Sequence, residues 1–165
     1  GEQQDGRRLG EFTVADLIPE ALRQNLSRLV VGEVRGTEAG AMFESMQSGA
    51  GTMSTTHSHS AASTMDRLAS RVAQGGVLSV DEAYRQIAHH IHLLVYVRLT
   101  DDTWRGGRRT RLVAEIRQLT GGIEAGRPVT QLVYAAPTAT SPAVFHPEPV
   151  FAAELAEFDE AWDRS

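Results

Sequence analysis

An acidic residue directly follows an apolar run near the start of the chain. Leu29, Val30 and Val31 are followed by Gly32 and Glu33. Buried strands of parallel sheets are rich in such apolar residues, and ligand sites lie beyond their carboxyl ends. A carboxylate placed there can orient a water molecule or the water shell of a magnesium ion. Taken alone, the same residues fit equally well a buried strand followed by a solvated glutamate.

A histidine follows a second candidate strand. Residues 52–57 are rich in Thr and Ser with Met53 among them, which predicts a buried strand that ends at His57. Between the two candidate strands, residues 36–46 have apolar side chains at helical spacing. A strand, a helix and a strand in that order favour a parallel pair. We therefore expect Glu33 and His57 to emerge at the same edge of one sheet and to face one pocket.

The helices that must support these strands have recognisable starts. Thr13 with Asp16, and Ser79 with Glu82, have the spacing of capping boxes. Pro19 lies inside the first helical pattern and predicts a kink or an early end, because proline has no backbone N–H to donate. Helices are expected over residues 13–25, 36–46, 60–73 and 80–90.

Strand patterns occupy both halves of the chain. Those in the second half alternate apolar and polar residues, which is typical of antiparallel strands with one solvated face. A turn is expected at residues 101–107, and a Gly-rich stretch at 121–126 is expected to join the last two strands. The predicted strands are 28–34, 52–57, 92–99, 110–119 and 129–134.

Length and composition limit the classes of protein. With 165 residues and 41% apolar content, the chain can bury one core of ordinary size. The net charge of −5 gives no reason to expect binding to nucleic acid or to an anionic membrane surface. No apolar stretch approaches the roughly 20 residues of a membrane-spanning helix. The absence of cysteine excludes disulfides and thiolate metal sites.

The sequence divides into four parts. It has no initiator methionine, and we expect a processed chain or a piece of a longer one. Residues 1–11 are predicted to be disordered or linker, residues 12–135 an α/β domain, and the Pro- and Thr-rich residues 136–149 a second linker. Residues 150–165 predict a short acidic helix, whose apolar stripe covers either this domain or a partner chain. The stripe consists of Phe151, Leu155, Phe158 and Trp162.

Two groups of polar residues have a plain structural explanation. His57 with His59, and His90 with His92, are spaced as paired metal ligands, but no acidic or cysteine ligand completes either pair. We therefore predict no metal ion held directly by protein side chains. A basic turn could bind phosphate or a neighbouring subunit, but the acidic composition favours a solvated hairpin. Its members are Arg105, Arg108, Arg109 and Arg111.

The region around Glu33 resembles a known motif. Residues 28–40 are similar to the Walker B segment of the secretion-superfamily ATPases, the motors of type II and type IV secretion and of Tad-type pilus assembly. In that family a strand ends in Gly-Glu-Val/Ile-Arg-Gly and is followed by Glu-Ala and a helix. Residues 51–60, followed by Arg67 and Leu68, resemble the family's His box, a Thr-rich strand that ends in His.

The resemblance implies a role for each matching residue. Glu33 matches the Walker B glutamate, which polarises the attacking water and supports Mg²⁺ from its second coordination shell. His57 matches the His-box histidine, which lies near the γ-phosphate of ATP. Arg35 matches the arginine after Walker B, which we assign to holding that loop. The resemblance thereby assigns catalysis to Glu33 and His57, and nucleotide binding to Glu33, Arg35 and His57. It implies that the intact protein uses ATP and Mg²⁺ as cofactors.

Parts of the family's pattern are missing. No Gly-x-x-x-x-Gly-Lys-Ser/Thr loop occurs in the 165 residues, so no lysine of that kind can reach a phosphate. Residues 48–50 stand where the family usually has Thr-Gly-His, and they lack the histidine. We expect the phosphate-binding loop upstream of Gly1. We predict that this piece alone binds ATP weakly or not at all and does not hydrolyse it.

The resemblance also implies a fold and a function. The fold is α/β, the C-terminal part of a RecA-like P-loop NTPase core, with a mostly parallel sheet and an added antiparallel hairpin over residues 92–134. In the intact protein the implied function is an ATPase motor. A ring of six subunits would act at the cytoplasmic face of the membrane with inner-membrane secretion or pilus platform proteins. The alternative is a non-catalytic assembly or regulatory module that keeps the ATPase fold.

Overall fold

A computed structural model describes residues 3–4, 7–8, 10–36, 38–47, 51–76, 78–138 and 142–145, with side chains from residue 10 onward. The first half alternates helices and short strands, and the second half consists mainly of long strands. In chain order the elements are β1 Gln3–Gln4, β2 Arg7–Arg8, α1 Val14–Leu22, β3 Arg28–Val31, α2 Glu38–Met46, β4 Gly51–Ser54, α3 Ala61–Gln74, α4 Val80–His90, β5 Leu93–Asp101, β6 Arg109–Glu124, β7 Arg127–Ala135 and β8 Val144–Phe145.

Hydrogen-bonded caps start three of the helices. Thr13 and Ser79 exchange hydrogen bonds with Asp16 and Glu82, so both predicted capping boxes are confirmed. Ser60 forms a third box with Ser63 at the start of α3. Helix α1 keeps Pro19 inside it but ends at Leu22, earlier than the apolar pattern suggests. A short helix agrees with the hydrogen bond that proline cannot make.

Strands β3 and β4 form the parallel pair that the first half of the sequence predicts. Val30 lies opposite Met53, and Val31 lies opposite Ser54. Helix α2 connects the strands, as a parallel connection requires. Because side chains alternate along a strand, Val31 is buried in the core, whereas Val30 and Met53 point away and are each 67% exposed.

The second half forms a separate antiparallel sheet in the order β5-β6-β7-β8. The long strand β6 pairs with β5 along residues 109–118 and with β7 along residues 115–124. Ala125 and Gly126 form the tight turn between β6 and β7, both with positive φ (48° and 77°). Positive φ at both central residues suits the twist of a two-residue hairpin.

One hydrophobic core joins the helices to the parallel sheet of β3 and β4 and to the antiparallel sheet of β5 to β8. Helices α3 and α4 pack against each other and α2 packs beside them, while α4 also lies against β6 and β7. A polar contact reinforces this packing: the Tyr84 hydroxyl donates to Asp66 Oδ1 (2.7 Å), and Arg127 Nη1 donates to Asp66 Oδ2 (3.2 Å). The fully buried members of the core include Met42, Phe43, Ala69, Val72, Ala83 and Ile87.

The predicted α/β class, with a parallel part and an antiparallel part, is confirmed. Among the described residues the parallel part is a two-stranded sheet, and the antiparallel strands form their own four-stranded sheet instead of extending it. Helix α4 separates the two sheets along the chain and packs on the antiparallel one. The sequence order alone could not show whether β5 continues the parallel sheet or starts a new one.

Three predicted loop segments contain paired backbone. In residues 1–11, predicted as disordered or linker, Gln3–Gln4 pairs with Arg7–Arg8. In the Gly-rich stretch 121–126, residues 121–124 belong to β6, because Ile123 and Glu124 pair with β7. In the predicted linker 136–149, Val144–Phe145 forms β8, where the Phe145 ring packs against Tyr134. The predicted helix at 150–165 lies outside the described residues.

A helix that spans a membrane must be both long and apolar, and this applies to each helix of the fold. Within the described part of the chain, none of them combines the length and the apolar character that a membrane span requires.

Candidate functional site

The segment that follows β3 is fastened to the segment that follows β4. The Val34 amide donates to the Thr55 carbonyl (2.8 Å), so the parallel pairing continues beyond both strands. Two threonine hydroxyls reinforce it: Thr55 Oγ1 donates to the Gly32 carbonyl (2.6 Å), and Thr56 Oγ1 donates to the Val34 carbonyl (3.1 Å). The Thr-rich composition of this stretch thereby fixes the backbone on both sides of Glu33.

Glu33 and His57 come together at this edge. His57 Nε2 lies 3.2 Å from Glu33 Oε1. The Glu33 side chain is 25% exposed and the His57 side chain 82% exposed, so the pair lies at the surface with the imidazole outermost. The two groups therefore emerge close together at the same edge of the parallel pair, as the order of strand, helix and strand predicts.

One oxygen of Glu33 has unused hydrogen-bonding capacity. Oε1 is shielded from solvent, yet it accepts no hydrogen bond from the described residues. A buried acceptor without a donor is unfavourable, so the site favours a donor such as a water molecule or a rotated imidazole N–H. A hydrated Mg²⁺ also presents water O–H groups to nearby carboxylates, and Oε1 fits that requirement.

The other oxygen of Glu33 is held by Arg35. Arg35 Nη2 lies 2.5 Å from Glu33 Oε2. The hydrogen bond from Arg35 holds the pKa of Glu33 below its usual value, against the opposing effect of burial, and the charges of His57 and Arg67 act in the same direction as Arg35. Glu33 is therefore a carboxylate at neutral pH, which is the form that accepts hydrogen bonds from water.

Glu38 orders the turn between Arg35 and α2. Its Oε1 accepts from the backbone amides of Arg35 (2.5 Å) and Gly36 (2.9 Å). Burial opposes ionisation of Glu38, but these amide hydrogen bonds outweigh it and the pKa lies below its usual value. Gly36 is suited to this turn because a Cβ there would lie only 3.3 Å from Glu38 Oε2.

The structural role of Glu38 was not among the site predictions. The sequence had a signal for it, since a glutamate in the first turn of a helix can accept hydrogen bonds from the amides before it. Arg67 was likewise quoted only as part of the His-box pattern. It lies on α3, close enough for its charge to lower the pKa of Glu33.

The basic turn belongs to a different sheet from this site. It lies at the β5–β6 end of the antiparallel sheet, where Arg105 pairs with Asp102 (2.9 Å) and Arg109 pairs with Asp101 (2.6 Å). Asp101 also accepts from Thr103, and these contacts lower its pKa. Two of the four arginines thus serve the hairpin itself, in agreement with the structural explanation of this cluster.

Comparison with known proteins identifies the family to which the chain belongs. The family described as "Type II/IV secretion system protein" matches residues 5–122. The chain therefore belongs to the type II/IV secretion system protein family, as the motif around Glu33 had indicated. It is 32% identical over 118 residues to a putative conjugal transfer protein of Mycobacterium tuberculosis.

Solved structures are similar as well. The VirB11 ATPase of the Brucella suis type IV secretion system is 25% identical with a TM-score of 0.50, and the match covers 61% of this chain and 31% of that one. The Yersinia pseudotuberculosis ATPase DotB has a TM-score of 0.51 at 24% identity, over 63% of this chain and 26% of that one, and supports the fold.

The similarity is to part of each relative. The match to the M. tuberculosis protein covers 71% of this chain and 32% of that protein. The chain thus spans about a third of the length of the curated relatives that it matches.

Proposed function

We propose that this chain is the C-terminal part of an ATPase that powers protein secretion or pilus assembly, and that Glu33 and His57 belong to its catalytic site. The observation that carries the proposal is the 3.2 Å approach of the two side chains at the carboxyl ends of neighbouring parallel strands. In open α/β sheets this is the edge at which ligands bind. Membership of the secretion family and the likeness to the VirB11 ATPase support the same function.

Glu33 is proposed to orient the attacking water. In ATP hydrolysis the water oxygen bonds to the γ-phosphorus while the bond to the bridging oxygen breaks, giving ADP, phosphate and a proton. Proteins accelerate this reaction mainly by positioning groups and stabilising charge. Arg35 holds Oε2 of Glu33, which leaves Oε1 as the oxygen that can accept a hydrogen bond from the water. When bound, Mg²⁺ supplies positive charge at the phosphates.

His57 is proposed to respond to the γ-phosphate. Its imidazole is largely exposed while its Nε2 remains beside Glu33, so it can contact both a bound nucleotide and the carboxylate. Arg35 is assigned a positioning role, because its guanidinium binds Glu33 instead of pointing into open space. The nucleotide-binding set on this chain is therefore Glu33, Arg35 and His57.

The site needs groups from outside the described fold. The 165 residues contain no lysine-bearing phosphate loop, so we propose that another part of the protein supplies it. Val30 and Met53 are exposed on the outer face of the parallel pair. Parallel sheets are ordinarily covered on both faces, so this face is where the rest of the domain is proposed to pack. The proposed assembly is a homo-hexamer at the cytoplasmic face of the membrane, acting with inner-membrane platform proteins.

The proposal is tested by Glu33→Gln in the intact protein that contains the phosphate loop. The amide keeps the size of the side chain but loses the charge that polarises water, so we expect kcat to fall by a factor of about 100 or more. Nucleotide affinity should change little. His57→Ala should also lower kcat, by a factor of about 10 or more. The control is His59→Ala, the neighbouring histidine that has no contact with Glu33, and it should leave turnover unchanged.

The rival function, a non-catalytic module with the same fold, predicts a different result. The lack of a phosphate loop in these 165 residues is the observation that favours it. If the upstream reading frame encodes no such loop, or if Glu33→Gln turns over ATP at the normal rate, the catalytic assignment is wrong and the module is favoured.

A further inference from the structure

An apolar row crosses the whole antiparallel sheet. Val95 lies opposite Ile116, Ile116 lies opposite Tyr134, and Tyr134 lies opposite Phe145. Directly opposite residues of antiparallel strands point to the same face, so the row presents one side chain from each of the four strands. The Tyr134 and Phe145 rings pack with their centroids 4.9 Å apart, which continues the row to the edge at β8.

The same face is exposed along β5. Leu93, Val95, Val97 and Leu99 alternate along this edge strand, and their side chains are 51–55% exposed. Leu94, which points to the other face, is buried in the core. We call the row and these β5 residues the apolar sheet face. Contiguous exposed apolar surface of this extent marks a binding surface.

A cavity deepens this face near β8. It has a volume of about 710 Å³, is almost wholly apolar, and is lined in part by Val113, Ile116, Tyr134 and Phe145. Phe145 is itself 72% exposed. The cavity therefore gives the apolar sheet face a place that large aromatic side chains can fill.

The chain supplies an apolar stripe next to this cavity. Phe151 follows Phe145 after five residues, and an extended connection of that length can reach roughly 20 Å from β8. The stripe Phe151, Leu155, Phe158 and Trp162 has helical spacing. A helix over those residues would be about 17 Å long, close to the roughly 20 Å from Leu93 to Leu99 along β5.

The charges of the C-terminal segment and of the apolar sheet face are complementary. Residues 146–165 contain six acidic residues and one arginine. Arg111 lies opposite Leu99 and so points to the apolar sheet face, and Arg108 lies at the same end of the sheet. Neither of them forms an ion pair within the described part of the chain, whereas Arg105 and Arg109 do. The basic end of the face can therefore attract the acidic flank of a helix lying on it.

We propose that residues 150–162 form an amphipathic helix that packs on the apolar sheet face of its own chain. Phe151, Leu155, Phe158 and Trp162 cover β5 and the cavity, and the acidic residues turn toward Arg108 and Arg111. The short tether gives the segment an effective concentration of the order of millimolar, which favours its own chain over a second copy. The proposal concerns a surface away from Glu33 and does not depend on ATP hydrolysis.

Disulfide trapping tests the proposal in the 165-residue chain. The chain contains no cysteine, so Val97→Cys with Leu155→Cys introduces a single pair. Val97 is 55% exposed, so the substitution there should leave the fold intact, which far-UV circular dichroism of the double variant checks. We expect oxidation to give an intramolecular cross-link in most molecules, at a rate that does not change when the protein is diluted tenfold.

The matched control is Val30→Cys with Leu155→Cys. Val30 is also an exposed valine, 67% against 55% for Val97, but it lies in the parallel sheet. It should cross-link at least tenfold more slowly. The proposal would be overturned if the two pairs cross-link at equal rates or if the Val97 pair does not cross-link at all. It would also be overturned by cross-linked dimers that form faster at higher concentration, because these would assign the face to a second copy of the chain.

Fluorescence gives a second readout that needs no cross-link. In a Trp104→Phe background, Trp162 is the only tryptophan. Packed on the face, it should emit at shorter wavelength than a solvated tryptophan, and Val95→Asp should shift the emission to longer wavelength. Val30→Asp should leave the emission unchanged. A solvated spectrum in the parent protein would contradict the docking.

Discussion

The two oxygens of Glu33 have different surroundings, and this difference defines what the residue can do. Oε2 is committed to Arg35 at 2.5 Å, whereas Oε1 faces His57 without accepting a hydrogen bond from the described residues. A fixed carboxylate with one unused acceptor is suited to orienting a water molecule. Because Oε2 is already taken by Arg35, Oε1 is the oxygen left to accept a hydrogen bond from that water.

The pKa of Glu33 should depend on Arg35. Because the hydrogen bond from Arg35 lowers that pKa, Arg35→Ala should raise it toward the ordinary value for glutamate. The carboxylate is then lost at a higher pH, so the acidic limb of the kcat/KM profile of the intact ATPase should move upward in pH. NMR titration of Glu33 in the 165-residue chain measures the same change without turnover.

Arg23→Ala is the control for this titration, because it removes an equal charge whose partner is Glu20. It should leave the titration of Glu33 where it is. The lowered pKa also means that ionised Glu33 stabilises the fold. This stabilisation is present at pH values above the pKa of Glu33 in the unfolded chain, and it is lost as the pH falls through the lower pKa of Glu33 in the folded chain. An unchanged Glu33 titration in Arg35→Ala would contradict the contact.

Helix α2 holds the loop that carries Glu33 as well as connecting the strands. Its first residue, Glu38, accepts from two amides of the turn that follows Glu33. The threonines after β4 hold the other side of the same loop. The loop is therefore fixed by a helix start and by a neighbouring strand end, which limits its freedom before any ligand arrives.

Removing the Glu38 carboxylate should loosen this turn. Glu38→Ala leaves the amides of Arg35 and Gly36 without their acceptor, and we expect the free energy of unfolding to fall by about 1–2 kcal/mol. Glu38→Gln keeps an acceptor oxygen and should restore part of the loss. Urea unfolding of the 165-residue chain measures both. Glu44→Ala, an exposed glutamate of the same helix, is the control and should change stability by less than about 0.5 kcal/mol.

Local signals predicted the elements better than their arrangement. The Thr13 and Ser79 caps identified their helices because capping is decided within four residues. Gly121 and Gly122 were assigned to a loop, although pairing across the hairpin keeps them in β6. The strand at Val144–Phe145 depends on packing against Tyr134, a contact between residues distant in sequence. Such tertiary contacts override local propensity, and no local pattern records them.

The candidate site was more predictable than the sheet that accompanies it. Strand, helix and strand in sequence order dictate a parallel pair whose carboxyl ends meet at one edge, and this is what brings Glu33 and His57 together. The contact between Glu33 and Arg35 could not be predicted in this way. It depends on the backbone path over residues 33–35, which the residue types alone do not determine.

If the proposed function is right, the whole described fold supplies only part of a nucleotide site. Its charged groups near Glu33 can orient water and contact a phosphate, but the 165 residues contain no loop of amides and lysine to neutralise a triphosphate. A polyanion brought to the Glu33 carboxylate without that neutralisation is repelled. The chain should therefore bind nucleotide only when combined with the rest of its protein.

We expect the isolated chain to bind ATP weakly or not at all. Titration of the 165-residue chain with ATP and Mg²⁺ in a calorimeter should show no saturable binding below about 1 mM, which corresponds to less than about 4 kcal/mol of binding free energy. Phosphate release should not exceed that of buffer. In the intact protein, the same titration should saturate, and Glu33→Gln should preserve the binding while turnover is lost. Micromolar binding by the isolated chain would show that its own residues complete the phosphate site, and a second set of cationic ligands would then have to be sought among its arginines.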